Sequence, residues 1–200
     1  VTYLQAKERN CAELLAVAVE DGQSIYYAGL FARNDSPIQT LTDVRGKSVA
    51  FGDVNSTSSF IIPITMLMEA GIDPVKDLGA LRLTGTHANS LAALIEKAVR
   101  SGIPGARDLR VVARSEAIPY PPLVMSSRLP DDLKQELRQA FKNVEKSPDI
   151  QPEMIRGYGG AQVDGYDTQF SSELFDSVAR KMTRLSDELK GEILKKSSER

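Results

Sequence analysis

Phe51-Gly52-Asp53-Val54-Asn55-Ser56-Thr57-Ser58-Ser59 is the stretch on which the fold of this chain turns. Ser48 to Phe51 read as a short strand that stops at Gly52-Asp53. The run Asn55 to Ser59 consists of residues that cap helices. Phe60 to Ala70 is then apolar at most positions and closes at Gly71. The stretch is therefore a strand, a polar loop and a helix in that order, and the loop carries three hydroxyls at Ser56, Thr57 and Ser58. A helix start leaves backbone N–H groups pointing outward, and its dipole places roughly half a positive charge there. Hydroxyls add donors without net charge, so such an end suits an anion. One hydroxyl is enough to cap the helix, and three are more than a cap needs.

The arrangement recurs downstream. Leu81 to Leu83 read as a strand, Thr84-Gly85-Thr86-His87 as a polar loop, and Asn89-Ser90-Leu91 as the beginning of a second helix. His87 is the only histidine of the chain, and in that loop its imidazole is a candidate donor to the same anion; a solvated surface histidine is the alternative. Upstream, Tyr3 to Asn10 is helix-compatible, Leu14 to Val19 reads as a strand entering the turn Glu20-Asp21-Gly22, and Tyr26 to Ala32 reads as a second strand. Tyr26 and Tyr27 open that strand beside the turn. A phenol there could close the site, and packing is an equal reading. Thr42-Asp43 is expected to cap a short helical turn.

Beyond the second loop, Leu109 to Arg114 alternates like a strand, and Ala117 to Met125, with three prolines, is extended. Pro130-Asp131-Asp132 opens an amphipathic helix bearing Leu133, Leu137, Phe141 and Val144. Ser171 to Leu194 carries a further helical pattern, with Lys195 to Arg200 a polar tail expected to fray. Alternating strands and helices argue for an α/β fold with ligand loops at the carboxyl ends of its strands.

Composition narrows the chemistry. The 200 residues are 42% hydrophobic, enough for a real core, and the net charge of −2 supplies no positive field for nucleic acid or anionic membrane. Cys11 stands alone, so neither an intrachain disulfide nor a cysteine metal cluster can form. No run reaches the ~20 apolar residues of a membrane helix. Gly157-Tyr158-Gly159-Gly160 lacks the lysine of a P-loop and reads as a flexible connection. With one histidine and no nucleophile elbow or zinc motif, a phosphatase or phosphotransferase has no evident base or metal ligands. No enzyme activity, cofactor or metal is expected.

The ordered segments Asp35-Ser36-Pro37-Ile38, Leu41-Thr42-Asp43-Val44-Arg45-Gly46-Lys47 and Phe51 to Ser58 resemble the phosphate/phosphonate/phosphite-binding receptors of ABC importers. Ala70-Gly71-Ile72-Asp73-Pro74, Thr84-Gly85-Thr86-His87, Arg114-Ser115-Glu116-Ala117-Ile118-Pro119 and Leu129-Pro130-Asp131-Asp132-Leu133-Lys134 agree as well. The resemblance implies a two-lobed, type II-like periplasmic-binding-protein fold closing on a small phosphorus oxyanion. In it Ser56, Thr57, Ser58 and His87 donate to the ligand and Tyr26 matches the family's tyrosine. It implies an ABC permease as partner, a monomer, and a periplasmic or cell-surface location, with a lipid anchor or a signal left open. A ligand-sensing domain of the same fold in a signalling protein is the alternative.

By the same resemblance, residues 1–50 are the remainder of the first lobe with a hinge strand, 51–115 the second lobe, and 116–200 the return to the first. The family carries a strand-helix-strand portion ahead of the position of Val1 and a Gly-x-x-Asp-Ala turn after the histidine helix. Here Ile95-Glu96-Lys97-Ala98-Val99-Arg100 runs straight on, so a stretch is expected to be missing after about residue 95. Receptors for aminoalkyl phosphonates hold the amine with an aspartate after the Ile-Pro turn, where this chain reads Ile118-Pro119-Tyr120-Pro121-Pro122.

Overall fold

The computed structural model describes residues 2–100 and 108–199, with the side chains of residues 96–100 outside the description. In chain order the elements begin with helix α1 (Thr2–Glu8), strands β1 (Ala12–Val19), β2 (Ile25–Tyr26), β3 (Gly29–Arg33) and β4 (Ser48–Phe51), and helix α2 (Ile62–Glu69). Strand β5 (Ala80–Leu83), helix α3 (His87–Arg100), strands β6 (Leu109–Arg114), β7 (Ile118–Pro119) and β8 (Pro122–Ser126), and helix α4 (Asp131–Lys142) follow. Strand β9 (Gly165–Asp167) and helices α5 (Glu173–Thr183) and α6 (Asp187–Ser198) complete the described order.

The chain divides into two compact units, one of Val1–Tyr26 with Ala117–Ala179, the other of Tyr27–Glu116 with Arg180–Arg200. The first limit falls after Tyr26, where the sequence reading places it after residue 50; the later one falls after Glu116, beside the expected residue 115. The reason is a change of strand partner. The expected strand from Tyr26 to Ala32 is two strands: β2 pairs antiparallel with β7, Tyr26 opposite Ile118, whereas β3 pairs with β6, Gly29 opposite Arg114. Between them Ala28 leaves the ladder. Its N–H donates to Ser115 Oγ at 3.0 Å and its carbonyl accepts the Ser115 N–H at 2.9 Å.

In the first unit β1 is the middle strand, antiparallel to β8 on one side and β9 on the other. Ala16 and Val17 are fully buried, as an apolar run in a central strand should be. The turn after β1 closes through Asp21 and Gly22, both at positive φ, which glycine tolerates and aspartate occasionally adopts. Helix α4 covers the sheet with Leu137 and Phe141 against Leu15, Ala16 and Met125. Lys134 on this helix reaches Glu13 of β1 at 2.6 Å, so its buried ammonium is paired. Gly157 to Gly160, expected as a flexible connection, forms a defined turn closed by the Arg156–Gln162 bridge.

In the second unit β4 and β5 run parallel, Ser48 to Phe51 opposite Ala80 to Leu83. This is the only parallel pair among the described residues. Helix α2 packs Ile62, Ile64 and Leu67 into the core, and Thr65, also fully buried, satisfies its hydroxyl on the Ile62 carbonyl at 2.9 Å. The short turn at Leu41–Val44 is capped by Thr40 rather than Thr42. The Asp43 carboxylate accepts the N–H groups of Gln39 and Thr40, and these bonds hold its carboxyl below the ordinary range.

The helical pattern from Ser171 to Leu194 is broken into α5 and α6, because Ser186 starts a new helix by accepting the Leu189 N–H at 3.1 Å. Lys195 to Ser198 of the expected frayed tail are instead part of α6. Ile193 is fully buried, and the Lys196 ammonium donates to the carbonyls of Val75 and Leu78. The expected break after about residue 95 falls within α3, whose backbone helix continues to Arg100. Residues 101–107, onto which the rest of that expectation falls, lie outside the described residues.

Candidate functional site

The site lies in the second unit, at the carboxyl ends of β4 and β5, where two polar loops each turn into a helix. After Phe51 the chain makes a turn in which Ser56 N–H returns to the Asp53 carbonyl at 2.9 Å and Asn55 N–H to the Asp53 carboxylate at 2.8 Å. Ser56 then caps the helix: its hydroxyl accepts the Ser59 N–H at 3.3 Å. The first turn, Thr57–Ile61, is a π turn, with Ile61 N–H on the Ser56 carbonyl at 3.0 Å. Pro63 contributes to this opening. It has no N–H, so the Ser59 carbonyl four residues earlier lacks its helical donor, and it accepts the Gly52 N–H at 3.0 Å instead.

That bond draws the strand end against the helix start, and only glycine fits at position 52. A Cβ there would stand 2.2 Å from Ser59 Oγ and 2.7 Å from Ser59 Cβ. Phe51 and Phe60 pack edge to face below, centroids 6.0 Å apart, which fixes the loop from the core side. Within this scaffold the N–H groups of Thr57 and Ser58 have no partner among the described residues. Both side chains are half-buried at the surface.

The second loop is tied to the first through Thr84. Its N–H and hydroxyl both donate to the Phe51 carbonyl, at 2.8 and 2.9 Å, and its hydroxyl lies 2.6 Å from Ser90 Oγ. Thr86 accepts the Asn89 N–H at 3.0 Å, and α3 therefore starts at His87, two residues earlier than the sequence suggests. His87 thus stands on the first turn of a helix rather than in the loop. The imidazole is exposed, and its Nε2 lies 3.1 Å from Ser58 Oγ.

The structure therefore brings Ser58 and His87 together and sets Thr57 and Ser56 beside them on the same helix start. Two helix N-termini with their hydroxyls, free N–H groups and an imidazole meet at one surface, an arrangement of donors that can hold an oxyanion without a lysine or arginine. Sequence reasoning missed Gly52, Thr84 and Asn89, whose Nδ2 donates to the Thr84 carbonyl at 2.9 Å. The clustering of hydroxyl and amide residues in the second loop was the available signal.

Tyr26 belongs to the first unit. Its ring stacks on Tyr120 across the β2–β7 pair, centroids 5.1 Å apart and planes 22° from parallel. Burial, reinforced by a hydrogen bond to the Glu20 carboxylate, pushes the Tyr120 phenol up to about 12. Tyr27, next in sequence, belongs to the second unit and carries the Arg114 guanidinium 3.8 Å above its ring. Among the described residues no cluster of His, Cys, Asp and Glu could hold a metal ion, and no helix is long and apolar enough to cross a membrane.

Residues 1–169 match the profile of the family described as ABC transporter, phosphonate, periplasmic substrate-binding protein. The chain belongs to this family. Among relatives of this phosphonate-binding family, the phosphonates-binding periplasmic protein of Escherichia coli (strain K12) is 27% identical, over 74% of this chain and 49% of its own length. The chain spans about half the length of that relative. Two solved structures share the α/β fold of periplasmic binding proteins. A Xanthomonas citri protein bound to chloride ion has a TM-score of 0.67 at 19% identity, covering 94% of this chain and 72% of that one. A binding protein component of an ABC phosphonate transporter from Pseudomonas aeruginosa has a TM-score of 0.61 at 24% identity, covering 96% and 72%.

Proposed function

We propose that this chain forms ligand-binding units of an extracytoplasmic receptor that captures a small phosphorus oxyanion (phosphonate, phosphite or phosphate) and delivers it to the permease of an ABC importer. The observation that carries the reading is the 3.1 Å approach of Ser58 Oγ to His87 Nε2, where the N-termini of α2 and α3 meet. A tetrahedral anion at that point takes hydrogen bonds from the Thr57 and Ser58 hydroxyls and N–H groups and from the imidazole. Ser56 holds the helix start in shape while keeping its own hydroxyl proton to donate. Membership of a family of substrate-binding proteins supports transport, in a periplasmic or cell-surface location, over catalysis. Among the described residues the Ser-Thr-Ser loop has a cap and donors but no base held by a third group to activate a nucleophile.

Tyr26 supplies a further contact from the first unit, and the two units close on the ligand as a monomer. Calorimetry with phosphite, phosphate, methylphosphonate and 2-aminoethylphosphonate tests the reading. Replacing Thr57 and Ser58 together by alanine should weaken the best ligand by roughly 2 to 4 kcal/mol, at about 1 to 2 for each charge-assisted bond. Unchanged affinity in that double variant removes this site. Turnover of a chromogenic phosphate ester by the parent chain would overturn the non-catalytic reading.

A further inference from the structure

We propose that Thr84, through its bond to Ser90, is a positioning residue of the anion site: the two hydroxyls hold the start of α3 against the end of β4 and so keep His87 beside Ser58. The inference rests on the oxyanion reading of that site and goes beyond it, since neither side chain belongs to the donor set. All four residues lie in the second unit.

Ser58 and His87 stand on different helices, so their 3.1 Å approach requires the two helix starts to keep their spacing. The cap of α3 does not supply that spacing, because the Thr86 hydroxyl accepts the Asn89 N–H within the same helix start. Apart from the β4–β5 ladder and the Ser58–His87 contact itself, the hydrogen bonds that join the two loops among the described residues both come from Thr84. Its N–H bond to the Phe51 carbonyl fixes where β5 ends. Its hydroxyl extends the tie into the helix, because the oxygen that reaches the Phe51 carbonyl at 2.9 Å also lies 2.6 Å from Ser90 Oγ, on the turn of α3 that follows His87.

The protons in this chain have one consistent order. Thr84 Oγ1 lies 3.1 Å from the Thr86 carbonyl as well, but a hydroxyl has a single proton and carbonyls only accept. Ser90 therefore donates to Thr84, and Thr84 donates to the nearer carbonyl, that of Phe51. Both hydroxyl residues are half-buried, whereas Thr86, His87 and Asn89 around them are exposed, so this is the tie of the second loop best withdrawn from water. Thr84 is held on its carbonyl too, by Asn89 Nδ2 at 2.9 Å, and Gly85 at a φ of +81° turns the chain between strand and helix. Without the Thr84 hydroxyl the backbone bond to Phe51 remains, Ser90 can turn to the Thr86 carbonyl four residues back, and the fold persists. What is lost is the link from β4 to the helix that carries the imidazole.

The test is calorimetry with methylphosphonate and phosphate on Thr84→Val, Thr84→Ser and Ser90→Ala, each in the parent and in the His87→Ala background, with thermal midpoints taken in parallel. Thr84→Val keeps the side-chain shape and should bind both anions roughly 3- to 10-fold more weakly, the worth of about one hydrogen bond. Thr84→Ser restores the hydroxyl and should stay within about twofold of the parent. Ser90→Ala breaks the same chain from the helix side and should weaken binding in the same direction, which keeps the role testable if Thr84→Val does not fold. In the His87→Ala background neither Thr84→Val nor Ser90→Ala should lower affinity by more than about twofold, although their effect on the thermal midpoint persists. Equal losses with and without His87, parent-like affinity in both Thr84→Val and Ser90→Ala, or a Thr84→Ser as weak as Thr84→Val overturns the proposal. The Thr57→Ala/Ser58→Ala variant in the same series separates the two readings. If it loses binding while Thr84→Val and Ser90→Ala keep it, only the positioning role falls; if the parent binds neither anion, the assignment of the site falls with it.

Discussion

Ser58 has one hydroxyl proton, and His87 Nε2 lies 3.1 Å from its oxygen, so the pair can be wired in only two ways. Either Ser58 donates to the imidazole, or the imidazole donates to Ser58 and frees the hydroxyl proton for the ligand. An oxyanion selects the second, because a chain running from imidazole N–H to hydroxyl to anion aligns both donors with the charge. Ser58→Ala then removes one hydrogen bond to a charged acceptor, about 1 to 2 kcal/mol or roughly 5- to 30-fold in affinity. His87→Ala removes the Nε2–H, which is shared between the anion and the Ser58 oxygen, and so loses both its donation to the anion and its polarisation of Ser58. In the double variant the second part is already absent, so the two losses should fall short of additivity by about 0.5 to 1.5 kcal/mol, the interaction energy of a contacting pair. Titration calorimetry of the parent, both single variants and the double variant with methylphosphonate and phosphate measures this directly. Losses that add to within about 0.3 kcal/mol would refute the relay, since residues without coupling behave in that way.

Gly52→Ala forces a Cβ to within 2.2 Å of Ser59 Oγ and 2.7 Å of Ser59 Cβ, and should destabilise the chain by about 1 to 3 kcal/mol while weakening anion binding, read from denaturant midpoint and calorimetry. Gly191→Ala, in the middle of α6 with nothing within 4 Å of the added methyl, should do the reverse and stabilise by about 0.5 to 1 kcal/mol with affinity unchanged. Leu67→Ala removes a fully buried side chain beneath the site and should cost about 2 to 5 kcal/mol in urea unfolding; a loss under 1 would show that α2 is not packed as described. The Tyr120 phenol is pushed up to about 12 from an ordinary value near 10, so its contribution to stability is complete below about pH 10 and is lost as pH rises toward 12. Alkaline melting curves should show that loss in the parent and a shallower one in Tyr120→Phe. In a ligand panel, phosphite, phosphate and methylphosphonate should all bind more tightly than 2-aminoethylphosphonate, since Pro121 offers no carboxylate in the turn after Ile118-Pro119; the amine compound as the tightest ligand would refute this.

Sequence alone determined those features that local patterns encode. Ser48 to Phe51 and Leu109 to Arg114 were legible as strands to the residue, because strand periodicity and flanking glycines act over a few positions. The donor loop was legible for the same reason: a run of cap residues after a strand has few local uses, and Ser56 does cap the helix. Features that depend on which segments become neighbours were decided only by the tertiary structure. Tyr26 to Ala32 is apolar throughout, and nothing local says that Tyr26 will pair with Ile118 while Gly29 pairs with Arg114, so the division after Tyr26 is invisible until the partners are known. The fate of Lys196 is similar. Its sequence reads as a solvated tail, and it becomes an anchor because the carbonyls of Val75 and Leu78 lie 118 to 121 residues away in the chain yet adjacent in space. The meeting of Ser58 with His87, 29 residues apart, follows from the parallel pairing of β4 with β5. Residue chemistry supplied the hydroxyls and the imidazole, and the sheet, by setting two strand ends side by side, brought them to one place.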